Sequence, residues 1–350
     1  MEDDLDSAVR QASVRGALSR RGVLAAGGAL ALPGVLGAAR PPRRRPRVLV
    51  ATNEPWGTYH VRPLLPEATG RGWRLTQLVP DRSQIQPGET VPIATLDEAP
   101  EADLIVVTGA GEWPLECANR FRALPLAASS LAYLGPGQAP GARRLRNRLR
   151  LVTSQSPAEA RSFRGYLGTN RRIMVTGSPQ TDALPARAAE PGLVLVLTSV
   201  THDDETGGAA PGTRLLLDAA ANLQAAGKRI LVGIHPREDR SLWDRYEISD
   251  VPSLQASARA EAAIGIPGTV FPLIAAVGTP LVGCTDPALT VPDYLLAVCS
   301  STIDDATDAV AAIQDARPSP PDTLADAVGP IGGSTARLLD AWSRVASRKP

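Results

Sequence analysis

Short, almost uninterrupted apolar runs recur along this chain, and helix-forming segments separate them. The runs 47–52 (RVLVAT), 103–108 (DLIVVT), 193–198 (LVLVLT) and 229–234 (RILVGI) have apolar interiors with no polar alternation. A strand exposed on one face alternates apolar and polar residues, whereas a strand buried on both faces does not. The pattern therefore predicts parallel sheets covered by helices on both sides. Further strands are expected at 73–79, 173–175, 263–266 and 280–283, with weaker signals at 126–134 and 149–154. Helices are expected at 157–166, where Ser156 caps and Pro157 takes the first position, and at 213–226, closing at Gly227. Others follow at 253–259, 269–277, 304–315 and 334–346. The elements fall into two series, joined near the proline-containing stretch 185–191. The expected class is α/β: two Rossmann-like doubly wound domains facing each other across a cleft, at 47–185 and 186–330. The segment 331–350 is left as a terminal helix. Ligands of such sheets bind beyond the carboxyl ends of the strands, here in the cleft.

Residues 1–39 are set apart from that pattern. Ser19-Arg20-Arg21-Gly22-Val23-Leu24 precedes an Ala-, Gly- and Leu-only run at 25–32 and a small-residue end at Gly37 to Ala39. A charged pair, an apolar run and a small-residue end is the build of an export signal, and the arginine pair resembles the twin-arginine type. Val23 stands where Phe is commoner. The run is too short and too rich in Gly and Ala for a span of about 20 strongly apolar residues. The basic linker at 40–46 opposes ordinary insertion. The expectation is an exported or anchored protein, handed to the Tat translocase and able to associate with a membrane through its N-terminus; the alternative is a cytoplasmic protein with a tail.

About 310 residues remain, enough for two domains. The net charge of +1, the 4% aromatic content and the lack of any nucleic-acid-binding motif exclude nucleic acid as the main partner. Cys117, Cys284 and Cys299 form no CxxC, so neither a zinc site nor a redox pair is indicated. They read best as small buried residues.

Chemistry-bearing residues gather just past the strands. Gly57, Thr58 and His60 follow the first strand; a glycine turn offers backbone donors, and a histidine titrates near neutrality and can serve as a base. A surface-loop histidine is the plainer reading. Gly109 to Trp113 follows the third strand and reads as a turn, with Glu112 either an acid or a solvated residue. Gly177, Ser178 and Asp182 end a strand; they can offer donors to a phosphate, or form an interdomain turn with Asp182 capping. The cluster 202–205 (HDDE) reads as a solvated loop. His235 and Arg237 end the second strand of the second series, where a guanidinium can fork onto a phosphate. Gly268 and Thr269 open the helix at 269–277, an anion site or an ordinary helix start. Pro272 falls at the fourth helical position if Gly268 caps.

Three motifs in order carry a resemblance: VTGSPQTDAL at 175–184, HPRE at 235–238 and GTVFPLIAAVGTPLV at 268–282. They resemble the GT-B architecture of glycosyltransferases, CDP-glycerol glycerophosphotransferases and UDP-N-acetylglucosamine 2-epimerases, and most the glycerophosphotransferase branch. The resemblance is clearest over 151–282. It implies a nucleotide-activated donor on the second domain, with His235 and Arg237 facing its phosphates and Gly268 and Thr269 supplying helix-end donors. His60 becomes the acceptor-side base, and the terminal helix folds back across the first domain. These families often place an acidic residue where this chain has Pro272 or Leu273.

The expected function is transfer of a glycosyl or glycerophosphoryl group from a nucleotide donor to a polymer or glycan acceptor at the cell surface. No cofactor and no obligatory metal are expected, since the only Asp-x-Asp is Asp4 to Asp6 in the tail. The alternatives are an exported, non-catalytic protein binding a sugar or phosphate, or an epimerase or hydrolase on the same scaffold. Nucleotide donors are made in the cytoplasm, so a cleaved and released chain favours the binding protein.

Overall fold

The computed structural model describes residues 45–109, 111–133, 142–199, 211–235 and 238–347. The signal-like segment 1–39, the loop 202–205 and Arg237 lie outside the described residues.

The first series builds a seven-stranded sheet from β1 (Arg47–Thr52), β2 (Arg74–Leu78), β3 (Ile93–Ala94), β4 (Leu104–Thr108), β5 (Leu126–Ser129), β6 (Leu149–Ser154) and β7 (Met174–Val175). The spatial order is β3-β2-β1-β4-β5-β6-β7. All of its pairings are parallel. The second series builds a six-stranded parallel sheet from β8 (Glu190–Leu197), β9 (Arg229–Gly233), β10 (Glu247–Ile248), β11 (Ala260–Gly265), β12 (Leu281–Cys284) and β13 (Ser301–Ile303). Its order is β10-β9-β8-β11-β12-β13. Both sheets fall within one compact unit.

The apolar runs explain the centre of each sheet. Every residue of β4 is buried, and so are the last five of β1 and of β8. The flanking helices are α1 (Leu65–Gly70), α2 (Glu112–Arg120), α3 (Pro157–Leu167), α4 (Thr213–Ala225), α5 (Ser253–Ser257), α6 (Phe271–Val277), α7 (Asp293–Leu296), α8 (Ala309–Asp315), α9 (Pro321–Ala327) and α10 (Ser334–Ala346). Helix α3 starts where its sequence directs. The Ser156 hydroxyl accepts from the Glu159 amide at 3.1 Å, and Pro157 needs no partner for a missing N–H.

Two elements differ from their sequence signals. The weak strand at 126–134 keeps only Leu126–Ser129, because its partner β6 pairs with it no further than Ser129. Helix α6 begins at Phe271 with Val270 as N-cap, two residues later than 269. Proline fits only the first turn of a helix, and this start puts Pro272 there.

Helix α10 belongs to the first sheet although it ends the described chain. Its Leu338, Leu339, Trp342 and Val345 pack with Val48, Val50, Leu64, Leu75 and Val106. The Trp342 indole donates to the Ser129 hydroxyl at 2.8 Å.

The strand orders locate the cleft. In each sheet the connections run to one side and then to the other: from β1 to β2, then across to β4; from β8 to β9, then across to β11. The loops leaving β1 and β8 therefore diverge from their neighbours and leave a crevice at each switch point.

Candidate active site

A cavity of about 1560 Å³ lies between the two sheets. The loop after β1 lines it from Glu54 to His60, joined by Arg62, by Ser83, Gln84, Gln86 and Glu89 from the next connection, and by Gln180. Opposite stand Leu197, Thr198, Gly233 to His235, Glu238, Asp239, Pro252 to Leu254, Thr269, Val270 and Leu273.

His60 ends a single 3-10 turn, Thr58–His60. The turn is tight at Gly57, where a Cβ would stand 3.1 Å from the Glu54 carbonyl oxygen and 3.2 Å from the His60 ring. A side chain there requires Glu54 or the imidazole to give way by a few tenths of an ångström. Tyr59 packs on the ring with centroids 4.1 Å apart and donates its hydroxyl proton to the Glu54 carboxylate. The His60 Nδ1 is buried and makes no hydrogen bond to the described residues. The His60 pKa is lowered to about 4: burial is the main cause, the Glu54 carboxylate opposes it, and the nearby His235 adds to it. The ring is therefore neutral at physiological pH.

His235 reaches the same cavity from the other sheet. It follows β9, and its backbone N–H donates to the Thr198 hydroxyl at 2.8 Å, tying the end of β9 to that of β8. Two imidazoles thus approach from opposite walls, 175 positions apart in sequence by their numbering.

Thr58 and Arg62 share one partner. Glu89 accepts from the Thr58 hydroxyl, from Arg62 at 2.7 Å and from the Val91 amide at 2.8 Å. Its carboxylate is 6% exposed. Desolvation pushes its pKa up, but these hydrogen bonds and the Arg62 charge prevail and bring it to about 2. Arg62 is held into the cleft mouth by this pair.

The remaining expected residues divide. Thr269 lines the cavity, but Gly268 does not, and neither belongs to α6. The Gly268 carbonyl accepts from the Phe271 amide at 3.0 Å, in the turn that leads into α6. Gly177, Ser178 and Asp182 are also absent from the cavity wall. Gly177 has φ +80°, and a Cβ on it would stand 2.2 Å from the Pro330 carbonyl oxygen. Ser178 is buried and its hydroxyl accepts from the Gln180 amide. Asp182 accepts from the Ser334 and Thr335 amides at 2.7 and 2.8 Å. Gly177 and Asp182 thus meet the start of α10, while Ser178 caps the short turn that follows it. Gly111 likewise has its amide bound to the Asn53 side chain at 2.7 Å, and Glu112 is an exposed first residue of α2. Leu273 presents an aliphatic side chain to the cavity where an acid is common in the families the sequence resembles.

Several lining residues escaped the sequence reading: Glu54, Tyr59, Arg62, Glu89, Gln180, Glu238 and Asp239. Glu54, Tyr59 and Arg62 flank His60 within eight positions of one another, and Glu238 closes the HPRE motif, so their neighbours did signal them. Glu89 lies in a polar connection with no motif around it. Among the described residues, no group of three or more His, Cys, Asp or Glu is placed to hold a metal ion. No helix among them is long and apolar enough to cross a membrane. Burial pushes the thiols of Cys117, Cys284 and Cys299 up to about 12.

No protein-family model and no curated protein sequence matches the chain. Solved structures do. The UDP-GlcNAc 2-epimerase from Methanocaldococcus jannaschii, in complex with UDP-GlcNAc and UDP, is 11% identical over 85% of this chain and 99% of that chain, with a TM-score of 0.59. The wall teichoic acid polymerase TagF is 12% identical over 85% of this chain and 87% of that one, with a TM-score of 0.56. Likeness at this identity speaks for architecture alone: two parallel, helix-covered sheets facing each other across a cleft make this chain a GT-B fold.

Proposed function

We propose that the chain is a GT-B enzyme that transfers a glycosyl or polyol-phosphoryl group from a nucleotide-activated donor to an acceptor hydroxyl. The observation that carries this reading is the pair of imidazoles facing one cavity from opposite sheets, with His60 held neutral by burial. The His60 ring lines the cavity and its Nδ1 is buried, so the base role is assigned to Nε2. Nε2 takes the proton of the acceptor hydroxyl as its oxygen attacks the donor carbon or phosphorus. The bond to the nucleotide breaks, and the leaving nucleotide keeps the electron pair. Its phosphate charge is met by His235 and by the Thr269 hydroxyl. A base of pKa about 4 is weak but always unprotonated near pH 7, and the anionic donor raises its proton affinity on binding. The architectural relatives support the donor class, since the epimerase structure holds UDP-GlcNAc and UDP.

One observation favours a second reading, ligand binding without transfer. Leu273 faces the cavity where the resembled families often carry an acid, so a nucleotide ribose meets an aliphatic wall. Turnover separates the two. His60→Ala is expected to lower kcat by about 10²- to 10⁴-fold, the range of a general base, with donor affinity kept. Full turnover in that variant overturns the assignment of His60, and donor binding without any turnover in the wild type establishes the second reading.

A further inference from the structure

Charge is unevenly spread along the chain. The stretch 117–172 holds eleven arginines and a single acid, Glu159, which is buried. The whole chain carries a net charge of +1, so the remainder is acidic on balance. Such an asymmetry orients a protein toward an anionic partner.

Folding gathers several of these arginines where the strands of the first sheet begin. Arg148 donates to the carbonyls of Ala118 at 2.8 Å and Arg122 at 3.4 Å, at the end of α2. Arg143 donates to the Tyr166 carbonyl at 2.7 Å, in the last turn of α3, and lies over the Tyr166 ring. Arg171 donates to the Leu149 carbonyl at 2.7 Å, at the first residue of β6. Arginines near helix C-termini complement the helix dipole, but a carbonyl carries no net charge, so the positive charge itself stays unmet. The Arg148 guanidinium is held below its usual value first by burial and then by the Arg122 charge beside it. The acids at this end are taken: Asp97 faces Arg120 at 3.8 Å, and Glu101 and Asp103 face Arg47 at 3.0 and 3.5 Å. Glu116, exposed one turn back along α2, is outnumbered. Arg144, Arg146, Arg164 and Arg172 are exposed, and their guanidiniums form no hydrogen bond or ion pair among the described residues.

The chain also enters the sheet at this end. β1, β4, β5 and β6 start flush, since Val48 pairs with Leu104, Ile105 with Leu126 and Leu126 with Leu149. Three strand spacings, about 14 Å, separate the start of β1 from that of β6. The Pro46 carbonyl accepts from the Arg74 amide at 3.0 Å, which fixes the point where the preceding segment joins. By sequence that segment carries the basic linker at 40–46 and the apolar run at 25–32. A bilayer that takes up the apolar run is held within reach of the arginines. We propose that this end of the first sheet is a docking face for an anionic lipid surface, with the cavity, past the carboxyl ends of the strands, facing away from the lipid. The proposal is independent of the transferase reading.

Co-sedimentation of the full chain with vesicles is the test, using phosphatidylcholine alone and phosphatidylcholine with phosphatidylglycerol at roughly 7:3. Binding to the mixed vesicles is expected to exceed that to the neutral ones about tenfold or more, and to fall about tenfold or more between roughly 0.05 and 0.5 M salt. The quadruple variant Arg144→Gln, Arg146→Gln, Arg164→Gln, Arg172→Gln gives up four charges and no bond. It is expected to lose about a hundredfold in affinity for the mixed vesicles and to unfold at the wild-type urea midpoint. Equal binding to both kinds of vesicle, or mixed-vesicle binding unchanged in the variant, assigns attachment to the segment 1–44 alone and overturns the proposal. Retention of long-chain polyphosphate or a single-stranded oligonucleotide at about 0.15 M salt, by a protein that ignores the mixed vesicles, also overturns it and gives the face to a soluble polyanion.

Discussion

His60 and Glu89 lie in the same cavity, and burial acts on both, yet their protonation behaves in opposite ways. Among the described residues nothing bonds the buried Nδ1 of His60, and the Glu54 carboxylate offsets burial only in part, so the ring gives up its proton down to about pH 4. The Glu89 side chain is 6% exposed, but the Thr58 hydroxyl, the Val91 amide and the Arg62 guanidinium meet its charge, so it stays ionised down to about pH 2. The stability consequences follow by linkage. Between pH 6.5, the ordinary histidine value, and about 4, the unfolded chain binds a proton at His60 that the native chain refuses, so stability falls as the pH drops through that window. For Glu89 the stabilisation is complete above its ordinary value of 4.5 and is lost as the pH falls toward 2. His60→Gln is expected to flatten the upper window and leave the lower one intact, as read from urea midpoints across pH. The acid limb of kcat/KM in the wild type is expected near pH 4 rather than 6.5, because that ratio reports the free enzyme. An upper window with the same slope in the variant contradicts the burial assigned to the ring.

Among the elements, α10 decides what the loop after β7 is for. The helix begins after Gly333, which offers no side-chain cap, and Asp182 supplies the cap from 152 positions away in the sequence. Gly177 lets the Pro330 carbonyl and the Ser334 hydroxyl come closer than any Cβ would allow, and Arg337 donates to the Thr176 carbonyl at 2.9 Å. Residues that look like a phosphate loop in the sequence are thus the anchor of the terminal helix. Asp182→Ala is expected to cost about 1–2 kcal/mol of stability, measured by chemical denaturation, with ligand affinity unchanged. Lost affinity at unchanged stability would return Asp182 to the cleft. Trp342 fills the same face from within the core, and truncating it to Ala is expected to cost about 3–5 kcal/mol. The start of α6 shows the same dominance of local chemistry, with Pro272 setting the first turn and leaving Gly268 and Thr269 outside the helix.

At the scale of the whole molecule, the architecture was legible because its central strands are buried on both faces. The runs of β1, β4, β8 and β9 announce themselves without any partner in view. The two-residue edge strands β3 and β10 do not, since two residues carry no period. The site was legible in part. His60, His235 and Thr269 lie just past strands or beside a turn, where position and residue type agree. The carboxylates of Glu54, Glu89, Glu238 and Asp239 come from three separate stretches of chain, and only folding gathers them; no local pattern reveals that they share a cavity. Calorimetric titration of the protein with UDP, CDP and GDP tests this account most directly. It predicts that at least one nucleoside diphosphate binds with one site per chain and that His235→Ala weakens it about tenfold or more; no binding by any of the three, or equal affinity in the variant, would contradict it.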